Sequence, residues 1–198
     1  MKHIFYHLTA VMVVVVWGMT FISTKVLIVH GLSAQEIFLF RFLLAYAAVC
    51  PISFHRFFAR NLKDELYLVG GGVLGGSLFF FLQNIALGLT QASNVSFIIC
   101  MAPLLTAVLT VLSVRTEKVS RGFIYGSIIA LLGVGLLIFN GSFILRISPL
   151  GDLLTLLASL SWAFYSIVIR SLTRKYSPAF ITRKIFFYGI ITILPTFF

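Results

Sequence analysis

Apolar residues fill this chain in blocks of about 20, separated by short polar or basic clusters, and each block is long enough to cross a bilayer as a helix. The blocks fall at 8–29, 33–54, 66–88, 92–114, 121–140, 150–171 and 183–198. Seven spanning helices are therefore expected. The last block is the shortest and stops in apolar sequence at Phe198.

Two blocks share a pattern. Trp17 stands in an apolar run with Lys25 eight residues later, and Trp162 with Arg170 repeats that spacing 145 positions on. If five crossings separate the copies, their helices run in opposite directions, which predicts a repeat inverted about an axis in the membrane plane. The expected fold is all-α: a polytopic membrane helix bundle of inverted five-helix repeats with the second repeat incomplete. Residues 1–142 form the first repeat and 148–198 begin the second. A full second copy needs three more crossings and an intact chain of about 290 residues, so a fragment, or a chain completed by another polypeptide, is expected.

Charge sets the orientation. Cytoplasmic connections collect Lys and Arg, and a cytoplasmic N-terminus puts 12 of the 15 cations on that side: Lys2, Arg56, Arg60, Lys63, Arg115, Lys118, Arg121, Arg170, Arg174, Lys175, Arg183 and Lys184. Lys25 and Arg146 fall outside, and Arg41 lies within the second span. A multi-pass protein of the cell (inner) membrane follows.

Composition agrees. Sixty per cent hydrophobic residues, 10 per cent charged residues and a mean hydropathy of +1.09 exceed what a soluble core of 198 residues could hide. The net charge of +10 does not imply nucleic acid, because the cations punctuate apolar runs and do not cluster on a polar fold. Cys50 and Cys100 read as small hydrophobes within apolar segments. Met1-Lys2-His3 resembles the start of a secretory signal, but no small-x-small site follows and the run continues past Trp17, so an uncleaved first span is expected.

The candidate chemistry is sparse. Trp17 and Trp162 sit mid-span, away from the headgroup belts where anchoring tryptophans collect, and either pack between helices or line a cavity together with Thr20, Thr24 and Tyr165. Lys25 and Arg170 either snorkel to the interfaces or cap the repeats at opposite faces. Arg41 lies roughly 12 Å into its helix, and is expected either to pair with Glu36 or to contact substrate. Gln83, Asn84, Ser93, Asn94 and Ser96 bracket the connection at 89–92, and either bond between helices or form a polar wall of the path. Pro103 removes the donor to the Ile99 carbonyl, so the fourth span should bend there, with or without a role as a gating hinge.

Gly70-Gly71-Gly72-Val73-Leu74-Gly75 matches G-x-G-x-x-G but lies inside a span, so Gly71 with Gly75, Gly72 with Gly76, and Gly122 with Gly126 are read as faces of close helix contact. The sequons at Asn94 and Asn140 are discounted, being in or against spans. His3, His7, His30 and His55 fall at ends or loops, and Glu36, Asp64, Glu65, Glu117 and Asp152 near span ends. An intramembrane enzyme, a metal site and a midplane proton relay are therefore not expected. No cofactor is expected; the partners are the lipid bilayer, a small-molecule substrate, and a second copy or a completing chain.

Residues 17–25, Phe40-Arg41-Phe42-Leu43-Leu44-Ala45, Ala86-Leu87 followed by 90–96, Pro103-Leu104 with Glu117, Gly133-Val134-Gly135-Leu136-Leu137, Gly151-Asp152-Leu153-Leu154, and Ser161-Trp162-Ala163 through Arg170 together resemble the bacterial EamA-like members of the drug/metabolite transporter superfamily. Their order and spacing over the whole chain carry the resemblance. It implies ten helices in two inverted repeats around a central cavity, and secondary transport, often export, of amino acids, metabolites or drugs by alternating access. The chain departs by ending after its seventh helix, which leaves a non-transporting remnant or subunit as the alternative.

Overall fold

The computed structural model describes residues 2–53, 57–113, 120–139 and 148–197, with the backbone alone at 2, 3, 134 and 137–139. Arg56, Arg115, Lys118, Glu117, Arg146, His55 and the sequon at Asn140 lie outside the described residues. Among the described residues every regular element is helical. In order they are α1 (Lys2–Val29), α2 (Ala34–Val49), α3 (Leu62–Gly71), α4 (Phe79–Leu89), α5 (Ala92–Ile99), α6 (Ala102–Ser113), α7 (Arg121–Phe139), α8 (Pro149–Arg170) and α9 (Pro178–Ile193).

A π-helical segment, Gly72–Leu78, joins α3 to α4, so Leu62–Leu89 is one continuous rod. Among the described residues six helical stretches are long and apolar enough to cross a membrane: Ile4–Val29, Ala34–Ser53, Leu62–Leu89, Ala92–Ser113, Pro149–Arg170 and Pro178–Phe197. The expected fifth span corresponds to α7, a helix of 19 residues.

Local chemistry explains the boundaries. Gly31, at φ +96°, ends α1 through bonds from its own N–H to Ile28 and from the Leu32 N–H to Leu27, a Schellman closure that needs a residue without Cβ. Ser33 then caps α2, and Glu36 reaches back to the Ser33 N–H to complete a capping box. Asn61 caps α3 by accepting from the Asp64 N–H at 2.8 Å. Ser177 followed by Pro178 opens α9. That last start corrects the seventh span: it begins at 178, not 183, so Arg183 and Lys184 are helical and buried, not loop cations.

The fourth span, Ala92–Ser113, is irregular at its middle: α5 stops at Ile99, Cys100 and Met101 form a turn, and Pro103 occupies the first turn of α6, where its missing N–H is harmless.

The core lies where α8 packs on the 62–89 rod along one side and on α5 and α6 along the other, while α9 crosses the same rod beside α2. Three apolar clusters result. Phe21, Phe79, Leu87, Val95 and Ala158 join α1, α4, α5 and α8; Leu68, Ile169, Leu172 and Tyr176 join α3 to the end of α8; Phe38, Phe42 and Ile193 join α2 to α9.

Glycine permits these approaches. A Cβ on Gly72 would stand 2.4 Å from the Tyr188 Cβ, and one on Gly75 2.4 Å from the Tyr165 ring. Gly76 faces the Gly189 backbone at 3.2 Å. The expected glycine faces at 71–76 are therefore helix contacts. Gly122 and Gly126 have nothing within 4 Å, so that face is open among the described residues.

Direction follows from the ends. The Lys25 ammonium donates to the carbonyls of Leu87 and Thr90 at the end of α4, and the Thr90 hydroxyl donates to Asp152 in the first turn of α8. Thus α1 finishes where α8 begins, and the two helices pass antiparallel.

Gly72→Ala should destabilise the protein by about 1–3 kcal/mol in a detergent unfolding titration, through overpacking against α9. Gly126→Ala should leave stability unchanged or raise it by up to about 1 kcal/mol.

Candidate functional site

The antiparallel crossing brings the two tryptophans together. The Trp17 and Trp162 ring centroids lie 6.2 Å apart, and Trp162 also meets Phe79 at 4.9 Å and Tyr165 at 5.0 Å. Both indoles wall a cavity of about 440 Å³ that also takes in Phe21, Ser96, Ile99, Cys100 and Pro103. Among the described residues no charged side chain lines it. Its floor is the break between α5 and α6, so the residue that interrupts the fourth span also opens space beside the tryptophans.

Irregular backbone at membrane depth must find internal partners. A buried serine of α8 supplies one: Ser161 donates to the Leu74 carbonyl in the π segment at 2.7 Å. At the turn between α5 and α6, the Ile98 carbonyl accepts from the Met101 N–H, and the buried Ser159 hydroxyl lies between it, at 3.3 Å, and the Thr155 carbonyl of its own helix, at 3.0 Å. Neither serine stood out in the sequence, because a hydroxyl inside an apolar run gives no sign of which helix it faces.

A polar layer lies one turn further toward the Lys25 end. Thr24 is buried and accepts from the Arg41 guanidinium at 3.3 Å, while the guanidinium sits 5.4 Å from the Phe80 ring. The expected pairing of Arg41 with Glu36 does not form: Glu36 is committed to the capping box with Ser33. Among the described residues no carboxylate lies within ion-pair distance of Arg41. Gln83 and Asn84 are each 1% exposed. The Asn84 amide donates to the Ala34 carbonyl at 3.1 Å, but its oxygen and both polar atoms of Gln83 have no protein partner.

The other candidates are more locally engaged. Thr20 donates to the Trp17 carbonyl and Ser96 to the Ala92 carbonyl, each within its own helix. Asn94 contacts the Thr90 hydroxyl at 3.4 Å, joining the layer of Lys25, Thr90 and Asp152. Ser93 is half-buried on the same helix, and Tyr165 packs over Gly75. Lys25 is not a snorkelling anchor: it caps the C-terminal carbonyls of α4, where the helix dipole favours a cation.

The opposite end holds charges that sequence reasoning assigned to loops. Glu65 accepts from the Ala59 N–H at 2.6 Å, from Lys184 and from Tyr188. Lys184 is 3% exposed and also faces the rings of Phe58 and Tyr188. Asp64 accepts from Lys175 and from the Tyr176 hydroxyl, both at 2.9 Å, and that hydroxyl accepts from the Arg60 N–H. Arg183 donates to the Ser53 carbonyl. The Ser177-Pro178 cap was the available clue, since a helix starting there carries Lys184 into its second turn. The Asp64 hydrogen bond holds the Lys175 ammonium protonated above the ordinary lysine range.

These features define the class: a multi-pass membrane helix bundle with an apolar cavity walled by two tryptophans. The model of the EamA-like transporter family matches residues 4–139, well over half of the chain, and the chain belongs to that family. A comparison with curated proteins gave no match, and one with solved structures gave none.

Lys25→Met should lower stability by about 1.5–3 kcal/mol, the loss expected for charge-assisted bonds to helix-end carbonyls. Lys175 has a raised folded pKa, so its contribution is complete below the ordinary lysine value of about 10.4 and is lost as pH rises through the folded value. The difference in melting temperature between wild type and Lys175→Met should therefore stay constant through neutral pH and shrink only above that value.

Proposed function

We propose that this chain carries a small solute across the cell (inner) membrane as a secondary transporter working by alternating access, with export of amino acids, metabolites or drugs as the expected direction. The observation that carries the reading is the cavity walled by Trp17 and Trp162, because the repeated motif of the sequence supplies both walls. Trp17, Thr20, Thr24, Arg41, Gln83, Asn84, Ser93, Asn94, Ser96, Trp162 and Tyr165 form the path. The turn before Pro103 serves as its hinge, since a span whose regular α-helical bonding is interrupted at its middle changes angle at low cost.

The repeats are inverted, and two halves of opposite direction rock about the site. The antiparallel passage of α1 and α8 at the tryptophan pair supports this. The N-terminus is cytoplasmic, on the strength of the Lys and Arg distribution. The Glu65 and Asp64 networks then close the cytoplasmic end, and the Lys25 layer the outer one.

A second reading has its own support: residues 4–16 of α1 are exposed on every face, as suits a helix awaiting a second copy or a completing chain.

Overexpression should raise export of at least one compound from a panel of amino acids and toxic metabolites, and Trp17→Ala and Arg41→Ala should each lower that export about tenfold or more at equal membrane abundance. Unchanged export in both variants removes those residues from the path. In a Cys50→Ser/Cys100→Ser background, His30→Cys should react with a membrane-impermeant maleimide from outside and Lys175→Cys only from inside; the reverse pattern contradicts the orientation.

A further inference from the structure

The polar layer beside the cavity holds an imbalance that the packing does not resolve. Arg41 lies about eight residues, or roughly 12 Å, inside α2, where an ionised group is costly unless paired. Its contacts are one hydrogen bond to Thr24 and the face of Phe80, neither of which carries negative charge. One turn along α4 from Phe80, Gln83 presents an amide whose nitrogen and oxygen both lack a protein partner at 1% exposure. A buried amide left unbonded costs about 1–3 kcal/mol. Lys25 adds a second cation to the layer, bonded to the carbonyl of Leu87, one turn beyond Gln83. The nearest acid of the layer, Asp152, is taken by Thr90 and the Ser148 N–H.

We infer that this layer binds a carboxylate: the guanidinium of Arg41 and the amide N–H of Gln83 receive the anionic group of the transported solute, whose apolar body meets the aromatic run of Phe80 and Phe79 that ends on Trp162. The inference rests on the transport reading and adds to it the chemical class of the solute. Position supports it, because Phe80 carries Arg41 on its face and its neighbour Phe79 touches Trp162. Charge supports it, because an Arg fork with no internal acid matches a carboxylate from outside the chain.

Trp17 and Trp162 are the chain's only tryptophans, so fluorescence excited in their red edge reports on this wall alone. The test uses the full 198-residue chain in phosphatidylcholine nanodiscs, titrated with phenylacetate and with phenylacetamide, which share a ring and differ in the charge of the head. Phenylacetate should quench at least about tenfold more tightly than the amide. Arg41→Gln should bring the two affinities together, and Arg41→Lys should retain part of the preference. Gln83→Leu should weaken phenylacetate binding while raising the melting temperature, whereas a purely structural Gln83 would lower the melting temperature and keep the preference.

Equal quenching by both compounds in wild type, or a preference that survives Arg41→Gln, overturns the carboxylate site and leaves the cavity reading standing. Quenching by neither overturns both. Replacing a third of the lipid by phosphatidylglycerol should not change the preference; its loss there assigns the site to a lipid headgroup and overturns the solute assignment.

Discussion

Backbone amides and carbonyls in a bilayer have no water to turn to, and the way this chain meets that constraint determines its architecture. Two stretches depart from α-helical bonding at depth: the π segment Gly72–Leu78 and the break at Cys100 and Met101. Both are covered by α8, whose Ser161 donates to the Leu74 carbonyl in the first and whose Ser159 lies against the Ile98 carbonyl beside the second. A helix that must reach the third and fourth spans at once has one place to lie, between them. Its antiparallel course past α1, and with it the meeting of Trp17 and Trp162, follows from that position.

The same constraint divides the bundle into layers of different character. Bonded charges lie at the two ends: Lys25 on helix-end carbonyls at one, Asp64 and Glu65 on Lys175 and Lys184 at the other. The middle is apolar and aromatic, and it encloses the cavity. Among the described residues the buried side-chain polar atoms left unbonded belong to Gln83 and Asn84, in the layer of Arg41 beside the Lys25 end. Stable membrane packing selects against that arrangement, so its presence one turn from the cavity is the feature that most separates this bundle from an inert one.

Much of this could be read along the chain. Length and hydropathy located the spans, with starts up to six residues off at α1 and five at α9, and the repeated spacing from Trp17 to Lys25 and from Trp162 to Arg170 pointed to the helices whose indoles meet. What failed depended on partners. Glycines four apart look alike at 72–76 and at 122–126, yet only the first pair faces another helix, because spacing describes one helix surface and not its neighbour. Glu36 is near Arg41 in sequence, but a Ser33 cap three residues away offers it two short local bonds. Arg183 and Lys184 were counted as loop cations because charge normally marks a span end; Glu65 and four aromatic rings make them affordable inside α9.

The central claim, that α8 runs antiparallel to α1 with their tryptophans in contact, has a direct optical test. Two indoles at 6.2 Å couple their transitions and give a paired positive and negative band in far-ultraviolet circular dichroism. The wild-type chain in nanodiscs should show that couplet, and Trp17→Phe and Trp162→Phe should each abolish it with the helical signal retained. A wild-type spectrum equal to the sum of the two single-tryptophan contributions would contradict the account.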